Sequence, residues 1–241
     1  MHLVIDVGNT KVKLAVFNEA ALVQTKIASR GTFVAALETI SEEYTINKAI
    51  LSSVAQLKQD EKQSIERLFL TLILDHNTTV PFTNLYSTPE TLGIDRIALV
   101  SAFVGKYEDL PGLIIDAGTC ITYDFVDEEA NYLGGAISPG LRMRYQALHK
   151  QTDNLPLLET SEEIFLIGNS TAASMHSGVI FGITQEIEGQ IQLYKQKHPN
   201  IKVILTGGDA HFLSKRFKNS IFADSNFLLE GLNFILSNAN D

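Results

Sequence analysis

The chain carries a single cysteine, Cys120, in 241 residues. An intrachain disulfide and a cysteine-built zinc cage are both excluded. Positive charge is also scarce: 19 lysines and arginines stand against 28 aspartates and glutamates, a formal net charge of -9. With a pI near 5.1, that balance argues against nucleic acid or an anionic membrane as a partner. Phosphate ligands stay open, because Mg²⁺ and backbone N–H groups neutralise phosphate locally. No apolar run approaches the roughly 20 residues of a membrane span. The opening Met1-His2-Leu3-Val4-Ile5-Asp6 reaches a carboxylate too early for a signal peptide, so a soluble, cytoplasmic protein is expected. The histidines at 2, 76, 149, 176, 198 and 211 show no metal-ligand spacing. What remains is ordinary globular composition, 45% apolar and 20% charged. The length suits one large domain or two of about 100–130 residues.

The strongest signal is internal repetition. Leu3-Val4-Ile5-Asp6-Val7-Gly8-Asn9-Thr10 reads like Leu113-Ile114-Ile115-Asp116-Ala117-Gly118-Thr119-Cys120. Each copy is an apolar strand followed by Asp-x-Gly and small polar residues. Each continues into a second strand, Val12 to Phe17 and Ile121 to Val126. Both halves are therefore expected to open with a β-hairpin whose turn carries Asp and Gly. Two duplicated α/β domains follow, over 1–112 and 113–241, with the final helix crossing back onto the first. Helices are expected at Phe33–Tyr44, Asp60–Thr71, Arg96–Tyr107 and across Thr171–Lys197; β-rich runs cover Lys48–Val54 and Ile201–Leu205.

A single Asp-x-Gly turn is most simply a hairpin turn, since both residues tolerate positive φ. Two copies at the heads of two similar halves favour a ligand. Glycine lets backbone N–H groups approach an anion closely, and Thr adds a donor. Asp cannot hold a phosphate directly but suits Mg²⁺. Asp6 and Asp116 are thus expected to grip one Mg²⁺–polyphosphate from two sides. The run Val203 to Asp209 adds Thr206-Gly207-Gly208 after a buried strand, where α/β folds bind ligands. It is assigned the nucleoside end.

These three segments resemble the first phosphate, second phosphate and adenosine motifs of the acetate-and-sugar-kinase, heat-shock-ATPase and actin superfamily. Within it the chain resembles the type III pantothenate kinases. The resemblance is carried by Gly93-Ile94-Asp95-Arg96, Asp116 to Asp124, Gly134-Gly135-Ala136-Ile137-Ser138-Pro139-Gly140-Leu141, Leu155-Pro156, Ile167-Gly168-Asn169-Ser170-Thr171 and Leu229-Glu230-Gly231-Leu232, in order along the chain. It implies two ribonuclease-H-like (actin-like ATPase) domains with a central nucleotide cleft. It implies ATP-dependent phosphorylation of pantothenate, the first step towards coenzyme A, by a homodimer using Mg²⁺ and a monovalent cation, K⁺ or NH₄⁺.

By the same resemblance Asp95 is the catalytic base. Tyr86, Gly93, Ile94, Asp95 and Arg96 contact pantothenate, and Thr171 closes the pocket from the partner subunit. Asp6, Val7, Gly8, Asn9, Thr10, Lys11, Gly118, Thr119, Thr206, Gly207 and Gly208 hold ATP. Asp6 and Asp116 are the Mg²⁺ carboxylates and Asp124 the K⁺ ligand. Cys120, Tyr123 and Arg142-Met143-Arg144 depart from the family pattern, and the basic stretch has no assigned role. The residues' own chemistry agrees. Asp95 at a helix start can orient a hydroxyl, and the planar fork of Arg96 suits a small carboxylate. Tyr86 also reads as plain core and Thr171 as a cap. The long Thr171–Lys197 segment is the expected dimer surface. Two other readings stand beside this one: a kinase of the same superfamily acting on a sugar or short acid, and a nucleotide-binding regulator without transfer activity.

Overall fold

A computed structural model describes residues 1–8, 11–53, 56–217 and 221–239. The chain divides into two compact units. One comprises Met1–Glu108, Ala130–Tyr132 and Asn226–Asp241; the other comprises Asp109–Glu129 and Leu133–Ser225.

The first unit is built on strands β1 (His2–Val7), β2 (Lys11–Asn18), β3 (Ala21–Ser29), β4 (Lys48–Ser53) and β5 (Thr71–Ile73), in the sheet order β3-β2-β1-β4-β5. The first three run antiparallel; β4 and β5 run parallel to β1. Two further strand residues, β6 (Thr83–Asn84), lie in parallel with Asn131–Tyr132. Period-2 alternation sends Leu3, Ile5 and Val7 of β1 into a core with Val12, Leu14 and Val16 of β2. Helix α1 (Phe33–Glu43) closes that face with Phe33, Ala36, Leu37 and Ile40, the i, i+3, i+4, i+7 stripe of an amphipathic helix. Helix α2 (Gln59–Leu68) joins it through Ile65. It stops short of the expected Thr71, because Phe69 is already extended and Thr71 begins β5. The edge strand's need for backbone partners overrides the helical spacing of Leu68 and Phe69. Helix α3 (Ile94–Lys106) packs along the last helix of the chain, which for that reason belongs to the first unit.

The second unit repeats the plan. Strands β7 (Gly112–Ala117), β8 (Cys120–Val126), β9 (Asn131–Pro139), β10 (Lys202–Thr206) and β11 (Phe222–Ala223) take the order β9-β8-β7-β10-β11. β7 is antiparallel to β8 and parallel to β10, as β1 is to β2 and β4. Over these five strands the order matches that of the first sheet, with β6 added as a sixth strand beyond β9, and Asp6 and Asp116 occupy the same place in each hairpin. This is the ribonuclease-H-like topology, twice. Helix α4 (Leu141–Lys150) follows β9, and α5 (Thr171–Lys197) is one helix of 27 residues. It buries Val179, Ile180, Ile183, Ile187 and Ile191 against the β7–β8 core. The short α6 (Ala210–Ser214) follows β10, and α7 (Phe227–Asn238) is the helix that packs on α3.

Candidate active site

In the first unit the β1–β2 turn is closed by Gly8 N–H donating to Lys11 O at 3.0 Å. Val7 is buried and Lys11 exposed at its two ends. Asn9 and Thr10 lie outside the described residues. Asp6 sits beside this turn, opposite Lys13 on β2 and Ser52 on β4. Burial pushes its carboxyl up to about 6; the Lys13 ammonium opposes that and the Asp95 carboxylate reinforces it. Asp6 and Asp95 therefore feel one another, which brings the first turn and the Gly93–Arg96 segment into one site. A desolvated carboxylate with a second carboxylate in range is an electrostatic deficit that a divalent cation fits.

Asp95 lies two residues further into its helix than the spacing indicated, which began the helix at Arg96. Gly93 is the N-cap, Ile94 the first helical residue and Asp95 the second. Asp95 Oδ1 accepts from the Arg96 N–H at 2.9 Å. A Cβ on Gly93 would strike that same Oδ1, so a side chain there would have to displace the Asp95 carboxylate. The next residue is Arg96, only 5% exposed. Its guanidinium lies 5.7 Å from the ring centre of Tyr86 and 5.9 Å from that of Tyr132. The two rings are 6.0 Å apart, and Phe82 packs edge-on against Tyr132. The guanidinium thus lies near both rings of an adjacent pair, where their quadrupoles attract it. Tyr86 is half-buried rather than plain core. Tyr132 went unnoticed in the sequence because only the β6–β9 pairing brings it here.

In the second unit, three segments converge on one turn. Gly118 N–H donates to Cys120 O at 2.9 Å and closes the β7–β8 hairpin around Thr119. Asp116 pairs in register with Thr122 on β8 and with the buried Thr206 on β10. Gly207, at φ +97, passes so close that a Cβ would collide with Asp116 Oδ1 and Ala117 O. Gly208 meets open space, and Asp209 N–H donates to Ala117 O at 2.9 Å. Burial raises the Asp209 carboxyl, against the charge of Arg142. From the other side Gly140, the N-cap of α4, donates its N–H to Thr119 O at 3.1 Å. A Cβ on Gly140 would strike Gly118 O and Thr119 O. The sequence motifs around Asp116, Thr206 and Pro139-Gly140 are thus one assembly of tightly apposed backbone.

Asp124 is fully buried on β8, with Thr122 Oγ1 donating to its Oδ2 at 3.1 Å. An anionic oxygen and a hydroxyl in a dry setting suit a large monovalent cation. Thr171 is the first residue of α5 and not its cap: Ser170 Oγ accepts from Ala173 N–H at 3.2 Å. Thr171 lines a cavity of about 910 Å³ with Arg144, Ala147, Leu148, Leu155 and Met175. Among the described residues no three His, Cys, Asp or Glu side chains form a ready-made metal cage.

Comparison with known proteins bears on the family and the fold. The family model described as type III pantothenate kinase matches residues 2–193. A type III pantothenate kinase of Christiangramia forsetii is 50% identical over 237 residues, covering 98% of both chains. Among solved structures, a Baf family protein from Campylobacter jejuni superposes with a TM-score of 0.62 at 23% identity, over 98% of this chain and 97% of that one. A glucokinase from an Antarctic psychrotroph gives 0.54 at 11% identity, over 99% of both. The two structures share the fold, a pair of ribonuclease-H-like domains of the actin-like ATPase kind. On the match of the family model and of a half-identical relative along nearly its whole length, the chain belongs to the type III pantothenate kinase family.

Proposed function

We propose that this protein transfers the γ-phosphoryl group of ATP to the 4′-hydroxyl of pantothenate, giving 4′-phosphopantothenate and ADP in the first step of coenzyme A synthesis. The observation that carries the reading is the first turn of α3. There Asp95 has Asp6 within electrostatic reach, and the Arg96 guanidinium lies against the Tyr86–Tyr132 ring pair. Read as a proton acceptor and a carboxylate receptor, these two neighbours would meet what a hydroxy acid acceptor needs.

Arg96 receives the pantothenate carboxylate as a forked, charge-assisted pair. Tyr86 and Tyr132 hold the guanidinium, and Gly93 and Ile94 leave room beside it. Asp95 orients the hydroxyl. As that oxygen bonds to the γ-phosphorus, the carboxylate takes its proton and the bond to the ADP oxygen breaks. The transition state is loose, so positioning and charge neutralisation matter more than the strength of the base. The Gly8 turn, with Asn9, Thr10 and Lys11, receives phosphate in the first unit. The Gly118–Thr119 turn does so in the second, and Thr206-Gly207-Gly208 receives the nucleoside. Asp6 and Asp116 hold Mg²⁺, which when bound neutralises the phosphate oxygens. Asp124 with Thr122 holds K⁺ or NH₄⁺.

The protein acts as a cytoplasmic homodimer whose Thr171 reaches the partner's pocket. The support is the open, largely apolar cavity at the start of α5. Beside it are the exposed Phe165, Leu166 and Ile167, at 60, 74 and 85% exposure, which suit a covering surface. Among the described residues no helix is long and apolar enough to cross a membrane.

The test is ADP release from Mg²⁺-ATP and K⁺, with and without pantothenate, repeated in Na⁺. Pantothenate-dependent turnover that falls in Na⁺ is expected. Turnover indifferent to pantothenate, in folded protein, would overturn the acceptor assignment.

A further inference from the structure

Arg144, left without a role by its sequence context, lies at the centre of a polar network in the second unit. Its Nη2 donates to Glu186 Oε2 on α5 at 2.5 Å and to Ser138 Oγ on β9 at 2.9 Å. Its Nε donates to Pro139 O at 2.9 Å. The other oxygen of Glu186 accepts from Ser138 Oγ at 2.5 Å and from Tyr123 OH at 3.1 Å. Glu186 therefore ties together β8, β9, α4 and α5. Burial alone would raise its carboxyl, but the hydrogen bonds from Ser138 and Arg144 outweigh that and hold it below the usual range. Tyr123 stays a donor, since burial and the Glu186 charge push its phenol up.

The network ends on a functional surface. Pro139, whose carbonyl Arg144 holds, is followed by Gly140, whose backbone is pressed against Gly118 O and Thr119 O and bonded to the latter. Nothing softer than peptide backbone lies between the network and the second phosphate turn. We propose that Glu186, acting through Arg144 and Ser138, is a positioning residue for ATP: it fixes Pro139–Gly140 and thereby the spacing of the N–H groups at Gly118–Thr119. This rests on the reading of that turn as a phosphate site. Arg144 is suited to the task because its planar fork meets Glu186, Ser138 and Pro139 at once, which a lysine ammonium cannot.

The experiment compares wild type with Glu186→Gln, Arg144→Met and the double variant, using calorimetric binding of Mg²⁺-ATP and steady-state kinetics for both substrates. Loss of one charge-assisted bond in the network is expected to weaken ATP binding about tenfold. KM for ATP should rise in step, with the pantothenate KM of Glu186→Gln within about twofold of wild type. The double variant should be no worse than the weaker single, since both cut one link. Should Glu186→Gln fail to fold, Tyr123→Phe removes a single bond of the network and Ser138→Ala removes two, and an ATP affinity lowered at least about threefold is expected. A lower melting temperature with unchanged ATP affinity, or additive effects in the double variant, overturns the proposal. Wild type without pantothenate turnover instead overturns the proposed function, and the binding arm still reads the network.

Discussion

Replacing Asp6 with asparagine should make the ligand-free protein more stable while stopping catalysis. The Asp6 carboxyl lies near 6 in the folded chain, against 3.8 for the free side chain, because burial dominates over the Lys13 charge. Between about pH 4 and pH 6 the folded state keeps a proton that the unfolded state has lost. Stability therefore falls as pH rises through that window and stays at the lower level above it. A shift from 3.8 to about 6 corresponds to about 3 kcal/mol at neutral pH. Asparagine keeps the shape and escapes that cost. Urea unfolding of wild type and Asp6→Asn at half-unit steps from pH 4 to pH 8 measures it. The difference between the two isolates Asp6, since other titrations cancel. Near pH 4 they should be close; above pH 6.5 the variant should be more stable by about 3 kcal/mol, about 6–10 °C in melting temperature. Mg²⁺-ATP should stabilise wild type far more than the variant, because bound cation offsets the desolvated charge. A difference that is flat from pH 4 to pH 7, or that grows in favour of wild type, would refute the reasoning. It would mean that Asp6 is solvated or already neutralised by Lys13.

Three other outcomes follow from the site. Asp95→Asn should lower kcat about 10²–10⁴-fold with little change in ATP binding, checked by single-turnover kinetics beside a melting curve; unchanged kcat would remove Asp95 from the proton path. Arg96→Lys should raise the pantothenate KM at least about tenfold, as an ammonium neither forks to a carboxylate nor stacks on Tyr86 and Tyr132; an unchanged KM would place the acceptor carboxylate elsewhere. Gly207→Ala should cost about 1–3 kcal/mol and impair ADP binding, since φ is +97 and a Cβ meets Asp116 and Ala117. Gly208→Ala, where nothing lies within 4 Å, is the control and should leave stability within about 0.5 kcal/mol.

Much of the fold was legible because the duplication is written in local residues. A strand, an Asp-Gly turn and a returning strand specify a hairpin from nearest neighbours alone, and β1–β2 and β7–β8 form in the register that their alternation demands. What the repeat cannot express is the difference between its copies. Asp6 and Asp116 look interchangeable in sequence, yet their surroundings differ. Asp6 is desolvated with Lys13 and Asp95 in range, whereas Asp116 has Gly207 passing against its carboxylate and Thr206 in register on β10. Lys13 comes from the hairpin itself, but Asp95, Thr206 and Gly207 lie about ninety residues along the chain from their aspartates. They arrive through packing of α3 in one unit and of β10 in the other. Tyr132 and Glu186 were invisible for the same reason: a tyrosine at the start of a strand and a glutamate in mid-helix carry no local mark. They acquire meaning only from the β6–β9 pairing and the α4–α5 contact. Local pattern therefore specifies hairpin turns well and pockets poorly. A turn is made by consecutive residues, whereas a pocket is made by whichever residues the sheet order brings together.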